Sequence, residues 1–413
     1  LTSAQMLPAR LFLATVGVAA AVTPLPLRGA RCAVGGTARC GVAPVMVIDQ
    51  LKGAVDELKG QAAEVIVQQK VAEKLARAQE KYDIPDKYVD VMGGFFTSYM
   101  TEIYKAGLDM DEYEGTLTTL FTKVLECAKD PHQFEPYHTA IREPFDYYQL
   151  GNDFAGGVID RDASKIVGLE KVDEINERLA SGDNVVLFAN HQSEADPQIF
   201  SVLLDPIAPG FAEKAIFVAG DRVTTDLLAQ PFSMGRNLLC IYSKKHLDKP
   251  PELKSSKTKH NRRVMKKMQE LFQDGGKLIW VAPSGGRDRA DETGTFRVAE
   301  FDPKSIEMFR LMADKANRKT HFYPLSMLTY PVCPPPMAVG GAVGEQRTVK
   351  WSAAGLHFAD AVDLSAFVEA CLVEGFPEDC DPTAERDAAR RALTKHIHGI
   401  VNTHYEELAS ELL

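Results

Sequence analysis

The segment Asn190-His191-Gln192-Ser193-Glu194-Ala195-Asp196-Pro197 sets an imidazole and a carboxylate five residues apart, directly after the apolar run Val185 to Ala189. Chemistry has a use for that pair. A neutral imidazole accepts a hydroxyl proton near pH 7, and a carboxylate on its other nitrogen fixes the tautomer and stabilises the imidazolium that forms. The same spacing also suits an ordinary helix start, with Asp196 before Pro197 as the N-cap and His191 as a satisfied loop residue. Spacing alone leaves both readings open.

Two further segments supply cations. The run Leu278 to Ala282 leads through Pro283 into Ser284-Gly285-Gly286-Arg287-Asp288-Arg289, and the run Leu238 to Tyr242 ends in Ser243-Lys244-Lys245-His246. Arginine forks match phosphate oxygens. Each fixed cation close to a phosphate charge contributes about 4 kcal/mol at an effective dielectric near 20, before desolvation is subtracted. Either segment by itself could equally be a polar turn at a strand end. Beside an alcohol-activating imidazole, they describe a site for a small hydroxylated phosphate.

Elements must hold these side chains in place. The short apolar runs Val185 to Ala189, Ala215 to Ala219, Leu238 to Tyr242, Leu278 to Ala282 and His321 to Leu325 alternate with longer amphipathic stretches. They predict an α/β domain over 131–413, with a mixed sheet flanked by helices, and ligands meet such sheets at strand ends. Residues 46–130 show helical spacing at Val55, Leu58, Ala62, Val65 and Ile66, with a break near Ile84-Pro85. This predicts an N-terminal bundle of three or four helices that carries no catalytic cluster. Residues 1–45 contain Arg10, Arg28, Arg31 and Arg39, with no acid before Asp49, and an apolar run from Leu11 to Val22. That block is expected to be targeting sequence, either a two-part address for a plastid bounded by extra membranes or a single transit peptide.

Composition narrows the class. A chain of 413 residues with a formal charge of −10 is a poor ligand for nucleic acid, so any anion site must be local. The seven cysteines form no C-x-x-C pair and no His pair stands at ligand spacing, so neither a metal site nor a disulfide framework is expected. No stretch after residue 45 approaches the roughly 18 to 20 apolar residues of a membrane span, and the mature chain is expected to be soluble. Between Ser243 and Met268 stand ten Lys and Arg against two acids, which reads as a solvated helix or as a docking face for an acidic partner or anionic surface.

Four blocks in order, Asn190 to Pro197, Gly235 to His246, Pro283 to Arg289, and Tyr323-Pro324-Leu325 with Pro334-Pro335-Pro336, resemble those of the glycerolipid acyltransferases. The match is closest to the soluble plastid glycerol-3-phosphate acyltransferases, through Arg142-Glu143-Pro144-Phe145-Asp146-Tyr147-Tyr148, Glu194-Ala195-Asp196-Pro197 and Ser284 to Arg289, and it covers residue 47 to the end. The bacterial membrane-bound relatives carry Glu at the place of Ser284, and Arg in the block where this chain has Ser-Lys-Lys-His. The resemblance implies His191 as general base, Asp196 as its partner, and Lys245, His246, Arg287 and Arg289 as the grip on glycerol 3-phosphate. It also implies acyl transfer from acyl carrier protein or acyl-CoA by direct attack, with no acyl-enzyme and no cofactor, in the plastid stroma beside the envelope membrane. The absence of G-x-S-x-G agrees with that route. Alternatives are a lysophospholipid acyltransferase, or an idle lipid or phosphate carrier with the same fold.

Overall fold

Strand β3 (Asn184–Ala189) shows how the chain divides its apolar residues. Val185, Leu187 and Ala189 join one hydrophobic cluster, and Val186 and Phe188 join a second, because successive side chains of a strand point to opposite faces. A strand apolar on both faces must be covered twice, and the protein is accordingly a sheet between two helical layers. The computed structural model describes residues 64–80, 86–242, 247–335, 347–373 and 382–413, all within one compact unit.

Among the described residues the eight strands are β1 (Tyr137–His138), β2 (Lys165–Val167), β3, β4 (Ala215–Gly220), β5 (Asn237–Ile241), β6 (Leu278–Val281), β7 (Thr320–Leu328) and β8 (Gly355–Phe358). They form one sheet in the order β1-β5-β4-β6-β3-β7-β8-β2. Strands β5, β4, β6, β3 and β7 run parallel, while β1 pairs antiparallel with β5 and β8 antiparallel with β7. The sheet is mixed, as the sequence predicts, and the five apolar runs of the sequence are its five parallel strands.

Helix α1 covers 64–80, followed by α2 (Asp86–Lys105), α3 (Met110–Lys129), α4 (Tyr147–Gly156), α5 (Leu169–Ala180) and α6 (Asp196–Leu204). These build the first layer. Val67 of α1, Phe96 of α2, Leu120 of α3, Phe154 of α4, Ile175 of α5 and Phe200 of α6 share the cluster that contains Leu187. The ring of Tyr99 stacks on Phe154 with centroids 4.4 Å apart, and its hydroxyl donates to the Phe154 carbonyl at 2.9 Å. The break expected near Ile84-Pro85 lies outside the described residues.

Two short helices, α7 (Arg222–Thr225) and α8 (Gln230–Met234), connect β4 to β5. Helices α9 (Lys254–Asp274), α10 (Pro303–Asp314), α11 (Leu364–Val373) and α12 (Pro382–Leu412) bring Met268, Phe309, Leu364 and Val401 into the second cluster, on the other face of the sheet. Thus the crossover from β3 to β4 uses α6 on one face, and those from β5 to β6 and from β6 to β7 use α9 and α10 on the opposite face. Crossovers that leave a sheet in opposite directions open a crevice at the carboxyl ends of the central strands. No described helix is long and apolar enough to cross a membrane.

Candidate active site

The carboxyl ends of β6, β3 and β7 meet at that crevice. His191 lies in the turn after β3, and its Nδ1 is 2.7 Å from Oδ2 of Asp196, the first residue of α6. Asp196 is fully buried and accepts three further hydrogen bonds, from the Gln192 amide at 3.0 Å, the Ser193 amide at 3.0 Å and the Thr329 hydroxyl at 2.6 Å. The helix-cap alternative does not hold. Ala195 occupies the N-cap, and the Asp196 carboxylate turns back into its own preceding loop.

The residues on either side of His191 pin the turn to β7 and to the segment after it. Asn190 donates to the Met327 carbonyl at 2.9 Å and accepts from the Met327 amide at 2.8 Å, while Gln192 Oε1 accepts from the Thr329 amide at 3.0 Å. Both are fully buried polar residues. The bonds of the Asn190 amide and of Gln192 Oε1 hold the turn in one geometry. The rings of His191 and Trp280 of β6 lie nearly perpendicular with centroids 5.8 Å apart, and the His191 side chain keeps 27% exposure. With Nδ1–H donated to Asp196, a neutral His191 carries its lone pair on Nε2.

The turn after β6 lies against the turn after β3. The Asp288 amide donates to the His191 carbonyl at 2.6 Å, and Asn190 donates to Asp288 Oδ2 at 3.1 Å, which joins the turn that carries Arg287 and Arg289 to the turn that carries His191. Gly285 has φ +67°, a conformation that favours glycine, and its amide closes the turn onto the Ala282 carbonyl at 3.0 Å. Burial raises the Asp288 carboxyl to about 6, against the bonds from Ala299 and Asn190, which lower it.

Arg287 donates to Glu194 at 3.1 Å. Sequence reading missed the other half of this network: Arg347 donates to Glu194 at 2.8 Å and to Asp226 at 2.9 Å. Burial pulls the Arg347 guanidinium down, but the two carboxylates hold it above its ordinary range. Arg347 had no strand-end signal in the sequence, and only the fold brings it 153 positions back to Glu194. Arg289 is exposed. Lys245 and His246 lie outside the described residues, four positions or so beyond the end of β5, which is third from β3 in the sheet.

A cleft of about 630 Å³ opens between α9, α10 and α12, lined by Met265, Met308, Leu311 and Met312 among others. It contains neither His191 nor any arginine of the network, so the chemistry assigned above does not reside there.

A family model described as Acyltransferase matches residues 168–328, the stretch from the turn before α5 to the end of β7. That stretch contains His191, Asp196, Arg287 and Arg289. The chloroplastic glycerol-3-phosphate acyltransferase of Arabidopsis thaliana is 37% identical over 332 residues, covering 80% of this chain and 70% of the relative. Its namesake from Pisum sativum is 35% identical over 349 residues, covering 84% and 74%. That of Spinacia oleracea is 39% identical over 295 residues, covering 71% and 62%.

Proposed function

This chain belongs to the chloroplastic glycerol-3-phosphate acyltransferase family, and on that premise we propose that His191 is the general base that activates the primary hydroxyl of glycerol 3-phosphate. The supporting observation is the 2.7 Å bond from His191 Nδ1 to a carboxylate that three further donors hold in one orientation, beside a turn that carries two arginines. Nε2 takes the hydroxyl proton as the oxygen attacks the carbonyl carbon of an acyl thioester. Asp196 stabilises the imidazolium that results.

The tetrahedral oxyanion then collapses, the carbon–sulfur bond breaks, and the thiolate takes the proton back from Nε2. The products are lysophosphatidic acid and a free thiol, with no covalent enzyme intermediate. The backbone amides of Ser284 and Gly286, on either side of the Gly285 amide that closes the turn onto Ala282, are the donors we assign to the oxyanion. Arg287, Arg289, Lys245 and His246 grip the phosphate and so aim the far hydroxyl at His191. Glu194 orients Arg287 from within the His191 turn, which couples the grip to the base.

The acyl donor in this reading is acyl carrier protein, with acyl-CoA as a substitute, and the basic face of α9 receives the acidic carrier. The reaction takes place in the plastid stroma, and its product leaves through the envelope membrane. A direct test compares wild type with His191→Ala, using glycerol 3-phosphate and lysophosphatidic acid as alternative acceptors. The expected loss is at least about a hundredfold with glycerol 3-phosphate. Full activity of the variant would refute the base, and a preference for lysophosphatidic acid would refute the acceptor.

A further inference from the structure

Away from this crevice, the sheet and the C-terminal helix bring three donor side chains together. His357 of β8 and His404 and Glu407 of α12 offer ligand atoms that all lie within 4.8 Å of one another. His404 and Glu407 are three residues apart on a helix, so they project from one face. His357 reaches them because its neighbours Leu356 and Phe358 point into the first hydrophobic cluster, which turns His357 to the opposite face, where Val401, Tyr405 and Leu408 of α12 pack.

The imidazoles of His357 and His404 stack with centroids 3.7 Å apart at 10°. Nδ1 of each is buried without a hydrogen-bond partner among the described residues. Glu407 Oε2 stands 3.6 Å from His357 Nδ1, beyond hydrogen-bond range. Buried polar nitrogens are nearly always bonded, so two of them next to one carboxylate suit a shared electrophile. The nearby lysines do not oppose a cation, since Lys165 is paired with Glu411 and Lys171 with Asp360.

We propose that His357, His404 and Glu407 form a binding site for a divalent ion of the zinc class, which clips α12 to the β8 side of the sheet. Both neutral imidazoles give their Nδ1 lone pairs, Glu407 gives a carboxylate oxygen, and solvent takes the fourth position on the exposed Glu407 side. Zinc bonds of about 2.0–2.1 Å at tetrahedral angles set donors about 3.4 Å apart, so the three atoms close in as the ion enters. One ring also turns out of the stack, because a metal lies in the plane of each imidazole it binds. The torsion that turns an imidazole is broad, and the Glu407 side chain is 55% exposed and has room to swing.

The test titrates the chelator-treated full chain, cysteines alkylated, with zinc by calorimetry and with cobalt(II) by visible absorption. One equivalent should bind, the cobalt bands should be those of a four-coordinate nitrogen and oxygen site, and zinc should raise the melting temperature. Glu407→Gln, an exposed change that spares the core, should weaken zinc binding by at least about tenfold. His404→Ala should abolish it. Absence of a zinc-induced melting shift, or equal zinc affinity in wild type and Glu407→Gln, would overturn the proposal. Should His404→Ala fail to fold, Glu407→Gln alone decides.

Discussion

The turn after β3 and the turn after β6 touch, yet they hold their charges in opposite ways. Asp196 in the first is fully buried and accepts four hydrogen bonds, whereas Arg289 in the second is exposed. The difference fits the two jobs proposed for them. A group that must stabilise charge at the moment of reaction gains from being oriented beforehand in a dry setting, and a group that captures an anion from water gains from remaining hydrated until the anion arrives. Arg287 stands between the two, largely buried and held by Glu194, whose other oxygen binds Arg347.

The buried half of the comparison gives the largest expected effect. Asp196→Asn keeps the size of the side chain but presents an amide to donors that now meet a carboxylate, and the imidazole is driven to the wrong tautomer. Activity should fall by about a thousandfold or more, in line with the loss known for an Asp to Asn change behind a catalytic histidine. The same exchange leaves a buried donor unpaired, so urea unfolding should show a stability loss of about 1–3 kcal/mol. A variant with near-normal turnover would mean that His191 does not work through Asp196.

The exposed half should respond through affinity. Charge-assisted hydrogen bonds contribute about 1.5–3 kcal/mol, so Arg289→Ala should raise KM for glycerol 3-phosphate by roughly tenfold to a hundredfold with kcat little changed. Arg287→Ala should raise KM to a similar degree and also lower kcat, because it releases Glu194 within the His191 turn. Steady-state kinetics on the two variants sharpens the contrast. Identical splits of KM and kcat would show that the Glu194 link does not couple the grip to the base.

How much of this was legible in the sequence follows from how local each signal is. The five parallel strands could be read because each is a continuous apolar run, and His191 with Asp196 because five positions suffice to close their hydrogen bond. Thr329 and Arg347 could not be read. Each reaches the turn from well over a hundred positions away, and nothing around either residue in the chain marks it. His357 and His404 escaped for the same reason, since the strand and the helix that carry them meet only in the folded protein. Glu194 was visible as part of a motif, but its role depends on a partner that the sequence could not supply.

The smallest effect is expected on α9, most of whose charges lie at the surface. Arg262, Arg263 and Lys266 are exposed, and their helix turns Val264, Met268, Leu271 and Phe272 inward. The ion pairs on this face, Arg263 with Glu135 at 3.7 Å, Lys266 with Glu270 at 3.9 Å and Lys267 with Glu270 at 3.2 Å, are solvated, so they add little to stability. Replacing Arg262, Arg263, Lys266 and Lys267 by Glu should therefore leave the fold intact. It should raise KM for an acyl-carrier-protein donor by roughly tenfold at low ionic strength, with a smaller rise as salt screens the field. The KM for acyl-CoA should change much less, because a carrier protein spans the helix face while a small thioester does not. Equal shifts for the two donors would remove α9 as the docking face and leave its charge as solvation alone.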